Sequence, residues 1–99
     1  MEVTDNGQDQ KIFTRELKIV NQYGIHARPA ALFVKIASRY DSDVTVEKDG
    51  NKVSGKSIMG LMTLEGSCGS SLKVTAVGDD AEAVLDELQA LVDSKFEEE

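Results

Sequence analysis

Residues 71–92 read SLKVTAVGDDAEAVLDELQALV. In the first seven, Leu72, Val74 and Ala76 alternate with Lys73 and Thr75, the two-residue period of a half-buried strand. Gly78 breaks that period. Beyond it Ala81, Val84, Leu85, Leu88, Leu91 and Val92 recur at spacings of three and four, which is the apolar stripe of a helix, with Asp79 or Asp80 placed to cap its start. A strand with one apolar face followed at once by a helix with one apolar stripe predicts two layers packed together, helix on sheet.

The same reading extends toward the N-terminus. In residues 43–54, DVTVEKDGNKVS, Val44 and Val46 alternate with Thr45 and Glu47, Asp49-Gly50 supplies a tight turn, and Val53 lies on the returning strand. In residues 12–20, IFTRELKIV, Phe13, Leu17 and Ile19 share one face and Glu16 and Lys18 the other. Residues 27–40, ARPAALFVKIASRY, are expected to form a helix buried through Ala30, Phe33, Ala37 and Tyr40, with Leu32 and Ile36 widening the stripe. Pro29 falls in its first turn, where a missing N–H breaks no intrahelical bond. A short helix is expected from Ser57 through SIMGLMTL, with Ser57 as N-cap; Gly60 at the third position denies it a full capping box. The element order is therefore β-α-β-β-α-β-α. It predicts an α+β fold, a four-stranded, mostly antiparallel sheet covered on one face by three helices. Residues 1–11 are polar and aperiodic and are expected to be a flexible extension; residues 12–95 form the domain, and 96–99, FEEE, an acidic, frayed tail.

Composition narrows the function. With 99 residues, 40% of them apolar, the chain can build one core. A net charge of −7 repels phosphate backbones and anionic lipid, which argues against nucleic-acid or membrane-surface binding and suits docking to a basic protein patch. One cysteine, Cys68, and one histidine form neither an internal disulfide nor a zinc site, so no metal or cofactor is expected. The N-terminus MEVTDNGQDQ has neither a basic n-region nor an apolar h-region, and no apolar run is long enough to span a bilayer, so a cytoplasmic protein is expected. The GSCGSS loop at 66–71 lacks the lysine of a phosphate-binding P-loop and reads as a turn.

Residues 24–30, GIHARPA, hold the only histidine and the only proline. If a helix starts at Ala27, His26 stands at its N-cap, beside backbone N–H groups of Ala27 and Arg28 that have no intrahelical acceptor. The helix dipole adds partial positive charge there, and Arg28 supplies a guanidinium; together these suit a phosphate. The same partial charge favours the neutral, nucleophilic imidazole, so His26 is a candidate phosphoryl acceptor. Gly24 would take a positive φ and permit close approach of a partner. The position equally fits a capping or solvated histidine with no chemistry. No paired carboxylate accompanies His26, and the reading is of a group carrier and not an enzyme.

The stretches GIHARPAALFVKIASRYDSDVTV, GKSIMGLMTL and SLKVTAVGDDAEAVLDEL together resemble the histidine-containing phosphocarrier (HPr) family of the bacterial phosphoenolpyruvate-dependent phosphotransferase system, over roughly residues 12–94. The resemblance implies an open-faced β-sandwich. It implies that His26 accepts a phosphoryl group on Nδ1 from phosphorylated enzyme I and passes it to enzyme IIA components, with Arg28 as the accompanying arginine. It also makes Ser57, in GKSIMG, similar to a regulatory serine phosphorylated by HPr kinase/phosphorylase, a charge that a helix N-terminus tolerates. An alternative is a regulatory interaction module that acts mainly through phosphoserine at Ser57. The short helix after Ser57 cannot bury all of Ile58, Met59, Leu61 and Met62, which become candidate partner-docking residues, Met59 above all; Ile58 and Leu61 equally fit the core. Tyr23 is bulkier than the small polar residue common in sugar-transport members and points to the nitrogen-related branch, whereas the serine motif points away from it; the branch stays open. An N-terminal extension of this kind is unusual for the family. Nothing in the sequence calls for a stable oligomer.

Overall fold

A computed structural model of the chain describes residues 2–5 and 11–98. The strands are β1 (Glu2–Asp5), β2 (Lys11–Lys18), β3 (Asp43–Lys48), β4 (Asn51–Ser54) and β5 (Ser71–Val77), and the helices α1 (Ala27–Ala37), α2 (Ile58–Thr63) and α3 (Ala81–Asp93). A final single turn spans Lys95–Glu97. The expected antiparallel sheet with three covering helices is present, in the order β2-β5-β3-β4, and β1 adds a fifth strand at the outer edge of β2.

Register explains the two faces. Leu17 pairs with Leu72, Phe13 with Ala76, and Val74 and Ala76 with Val46 and Val44, so these side chains all point to one side and are buried there. Arg15, opposite Val74, shares that side. Its guanidinium reaches past the apolar layer to Asp86 (3.0 Å) and Gln89 (3.3 Å) on α3, so a charged residue on the core face pins helix to sheet. The other face is polar: Thr14 bonds Thr75 across the strands, and Lys73 stands between Glu16 and Glu47.

The helices cover the apolar face with the stripes the sequence supplies. Ala30, Phe33 and Ala37 of α1, and Val84, Leu85, Leu88 and Val92 of α3, are fully buried. Helix α1 ends three residues earlier than expected. Ser38 closes it by donating to Val34, and Tyr40 lies beyond, half-buried, its hydroxyl donating to Glu87 of α3 at 2.5 Å. Asp80 precedes α3, but its carboxylate does not cap the helix. It accepts from Asp41 N–H (2.9 Å), Ser42 N–H (3.0 Å) and the Ser42 hydroxyl, and these bonds hold its pKa below the ordinary carboxylate value, the hydroxyl contributing most.

Both chain ends correct the sequence reading. Residues 2–5 of the expected flexible extension pair antiparallel with β2, Glu2 opposite Thr14 and Asp5 opposite Lys11; residues 6–10 lie outside the described residues. An unpaired strand edge is a row of open hydrogen-bonding groups, and β1 fills it on β2. The expected frayed tail is docked as far as Glu98: Phe96 is fully buried in the core. Lys95, Phe96 and Glu97 adopt φ of 59°, 55° and 61°. Left-handed backbone is costly for residues with a side chain, and burial of the Phe96 ring works against that cost.

Candidate phosphoryl-acceptor site

Helix α1 begins at Ala27, and His26 is its N-cap with extended backbone (φ −110°, ψ −170°). The first intrahelical bond runs from Ala30 N–H to the His26 carbonyl at 3.0 Å, which leaves the Ala27 and Arg28 amides ahead of the hydrogen-bond ladder. No side chain caps this start among the described residues, and the first turn holds no acidic residue. Pro29, third in the helix, is buried and has no N–H to satisfy. The His26 side chain is 44% exposed, and Arg28 is exposed on the first turn. The sequence-predicted trio of Ala27, Arg28 and His26 is thus brought to one solvent-facing helix end, as a phosphate requires.

The loop before His26 is fixed by the loop after α2. Ile19 N–H donates to Ser70 C=O and Gly69 N–H to Ile19 C=O, both at 2.8 Å, and Ile25 N–H donates to Gly66 C=O at 2.8 Å. Gly24, at φ +67°, makes this possible: a Cβ there would lie 2.3 Å from the Gly66 carbonyl oxygen. The close approach expected of Gly24 is therefore to the chain's own backbone and not to a partner.

Over this end lies a group the sequence reading missed. Glu98 Oε2 is 2.8 Å from His26 Nε2, and Glu98 Oε1 accepts from Asn21 Nδ2 at 3.0 Å. Asn21 is wholly buried, and the same Nδ2 also donates to Gly24 C=O at 2.8 Å. One signal for this docking was in the sequence. Phe96 lies four residues after Val92 and continues the α3 stripe.

A family model described as "PTS HPr component phosphorylation site" matches residues 13–94. The chain belongs to the HPr family. It is 44% identical to the phosphocarrier protein HPr of Treponema pallidum over 85 residues, 86% of this chain and 97% of that protein. It is 54% identical to the HPr-like protein Crh of Bacillus subtilis over 69 residues, 70% of this chain and 81% of that one. Among solved structures, HPr from Thermoanaerobacter tengcongensis superposes with a TM-score of 0.84 at 49% identity, covering 88% of this chain and 98% of the other. Dimers of HPr from the same organism and of Crh from Bacillus subtilis share the fold at TM-scores of 0.69 and 0.68.

The GKSIMG stretch leads into α2. Ser57 is its N-cap, and the hydroxyl oxygen accepts from Gly60 N–H at 3.0 Å, the cap the sequence predicts. Of the four candidate docking residues, Met59 is 76% exposed, and Ile58 and Met62 are also exposed. Leu61 is not available: it is buried in the core, because a helix of six residues turns that position toward α1 and the sheet. Tyr23, in the loop before His26, adds a further exposed aromatic surface. Cys68 is exposed in the loop after α2. No helix among the described residues is long and apolar enough to cross a membrane.

Proposed function

We propose that this HPr-family chain is a phosphocarrier of the phosphotransferase system. The Nδ1 lone pair of His26 attacks the phosphorus carried by a phosphorylated nitrogen of enzyme I. An N–P bond forms on His26 as the donor's N–P bond breaks, and the donor nitrogen keeps that electron pair. The Ala27 and Arg28 amides and the Arg28 guanidinium hold the phosphoryl oxygens. Transfer to an enzyme IIA component is the same step run from His26. The chain contributes an acceptor and a cradle, while its partners bring the rest of the catalytic groups; it is a carrier and not an enzyme, cytoplasmic, and needs no cofactor. The observation that carries this reading is the part-exposed His26 at an α1 start that no side chain caps, inside the matched phosphorylation-site family.

Phosphoenolpyruvate with a cognate enzyme I should place an acid-labile, alkali-stable phosphate on the wild-type chain and none on His26→Ala. A competent enzyme I that leaves the wild type unmodified rejects the reading. Ile58, Met59 and Met62, with Tyr23, form the partner-facing apolar surface, and regulation by HPr kinase/phosphorylase acts on Ser57 beside it. In this reading the phosphocarrier acts as a monomer, with β1 occupying the β2 edge. A second reading, a regulatory module that works mainly through phosphoserine at Ser57, draws on the half-buried, capping hydroxyl next to exposed Met59. ATP-dependent labelling of Ser57 without labelling of His26 would favour it.

A further inference from the structure

The C-terminal segment reaches His26 through a specific set of contacts. Phe96 anchors the segment in the core, and Glu98 is only 15% exposed at its side chain, against 44% for the ring it meets. An exposed ion pair between two free side chains would order neither partner and contribute little. Here one carboxylate oxygen is held by Asn21, itself fully buried and tied to Gly24 C=O, and the other lies 2.8 Å from Nε2. The contacts run Gly24, Asn21, Glu98, His26, from the backbone of the histidine's own loop to its ring.

We propose that Glu98 is a positioning residue for His26, fixing the proton on Nε2 so that the nucleophilic lone pair stays on Nδ1. A carboxylate only accepts hydrogen bonds, so the ring nitrogen facing it must be the N–H donor. A neutral imidazole has one N–H; with that proton on Nε2, the pyridine-like nitrogen is Nδ1. When Nδ1 bonds to phosphorus, the ring keeps its Nε2 proton and gains positive charge, which the Glu98 carboxylate stabilises. No proton has to leave during the transfer. The same division of labour joins carboxylate and imidazole in hydrolase triads and behind metal-bound histidines. Asn21 in turn fixes Glu98, and Phe96 fixes the segment that carries it.

The proposal rests on the phosphocarrier reading, so its test has one arm that does not. His26 is the only histidine, and its two ring nitrogens give one unambiguous pair of ¹⁵N resonances. At a pH where the ring is neutral, the wild type should show a single tautomer with the proton on Nε2. Glu98→Ala should relax toward the mixture of a free imidazole, Phe96→Ala should do the same by releasing the segment, and Glu98→Gln, which retains an acceptor, should restore the wild-type tautomer in part. In the enzyme I assay, Glu98→Ala should accept phosphate roughly tenfold more slowly, with Glu98→Gln intermediate. Ring resonances unchanged in Glu98→Ala overturn the proposal, as does a transfer rate that stays the same or rises; a rise would make the segment an inhibitory strap. A wild type that takes no phosphate removes the phosphocarrier reading and the proposal with it. Failure of the proposal alone is marked by normal transfer in Glu98→Ala.

Discussion

The starts of α1 and α2 meet the same physical demand in opposite ways. Every helix start has backbone donors without partners. At α2, Ser57 answers with its own hydroxyl, which accepts from Gly60 N–H at 3.0 Å. At α1, His26 holds the same N-cap position in the same extended conformation, yet its side chain makes no cap; the ring is turned to Glu98 instead. At α2 the hydroxyl satisfies the Gly60 amide, whereas the third position of α1 is Pro29, which has no N–H to satisfy. Ahead of the ladder stand the Ile58 and Met59 amides at one start and the Ala27 and Arg28 amides at the other. A phosphate on Ser57 therefore sits on an oxygen already engaged as a cap, whereas one on His26 sits on a ring that takes no part in capping.

Exchanging the cap chemistry breaks this comparison most sharply. His26→Ser should abolish phosphate acceptance from enzyme I, because no imidazole remains. Its effect on stability should be small, within about 0.5 kcal/mol, since a serine there finds only the Arg28 N–H, Pro29 having none, and the contact to Glu98 is lost. Thermal unfolding beside the labelling assay checks both. A variant that is inactive and destabilised by clearly more than that would show that α1 needs its histidine for structure. The converse change, Ser57→Ala, should cost about 1 kcal/mol and leave phosphate acceptance at His26 unaltered; denaturant titration and the enzyme I assay measure the two. A loss of acceptance in Ser57→Ala would mean that the two helix starts are coupled through α2 and the loop that follows it, which bonds to the loop before His26.

How far this contrast could be read in the sequence depended on how local each cause was. The strand at 71–77, the hairpin turn at Asp49-Gly50, the Ser57 cap and the position of His26 ahead of Ala27 all follow from residues within a few places of one another. Pairing of Glu2–Asp5 with β2 leaves no comparable mark, because EVTD is too short to display a period and the cause is an open edge elsewhere in the chain. The end of α1 was misplaced because Tyr40 sits at the correct helical spacing; it serves the core from beyond the helix, bonded to Glu87. Leu61 and Ile58 could not be told apart by composition, since both are large and apolar, and only the orientation of α2 decides which is buried. Glu98 was hidden for the same reason as β1: its partners, His26 and Asn21, are far away in sequence, although Phe96 announced the docking.

The third helix start sharpens the comparison with the smallest effect. Asp80 is an excellent N-cap residue by type, yet its carboxylate leaves α3 uncapped and binds the backbone N–H groups of Asp41 and Ser42 and the Ser42 hydroxyl. Those bonds favour the charged form, led by the hydroxyl, so the folded-state pKa lies below the ordinary value of 3.8. A carboxyl depressed on folding adds stability above its unfolded pKa and loses it as pH falls through the folded one. Asp80→Asn should therefore be less stable than wild type at neutral pH, by under about 1 kcal/mol because the group is reached by solvent. The gap should close as the solution is acidified below the ordinary carboxylate range, because the wild-type carboxyl then becomes neutral as well. Unfolding curves at neutral and acidic pH decide the matter. A gap that persisted unchanged in acid would mean that Asp80 acts through shape and packing at the join of α3 to the 41–42 loop, and that its charge adds nothing there.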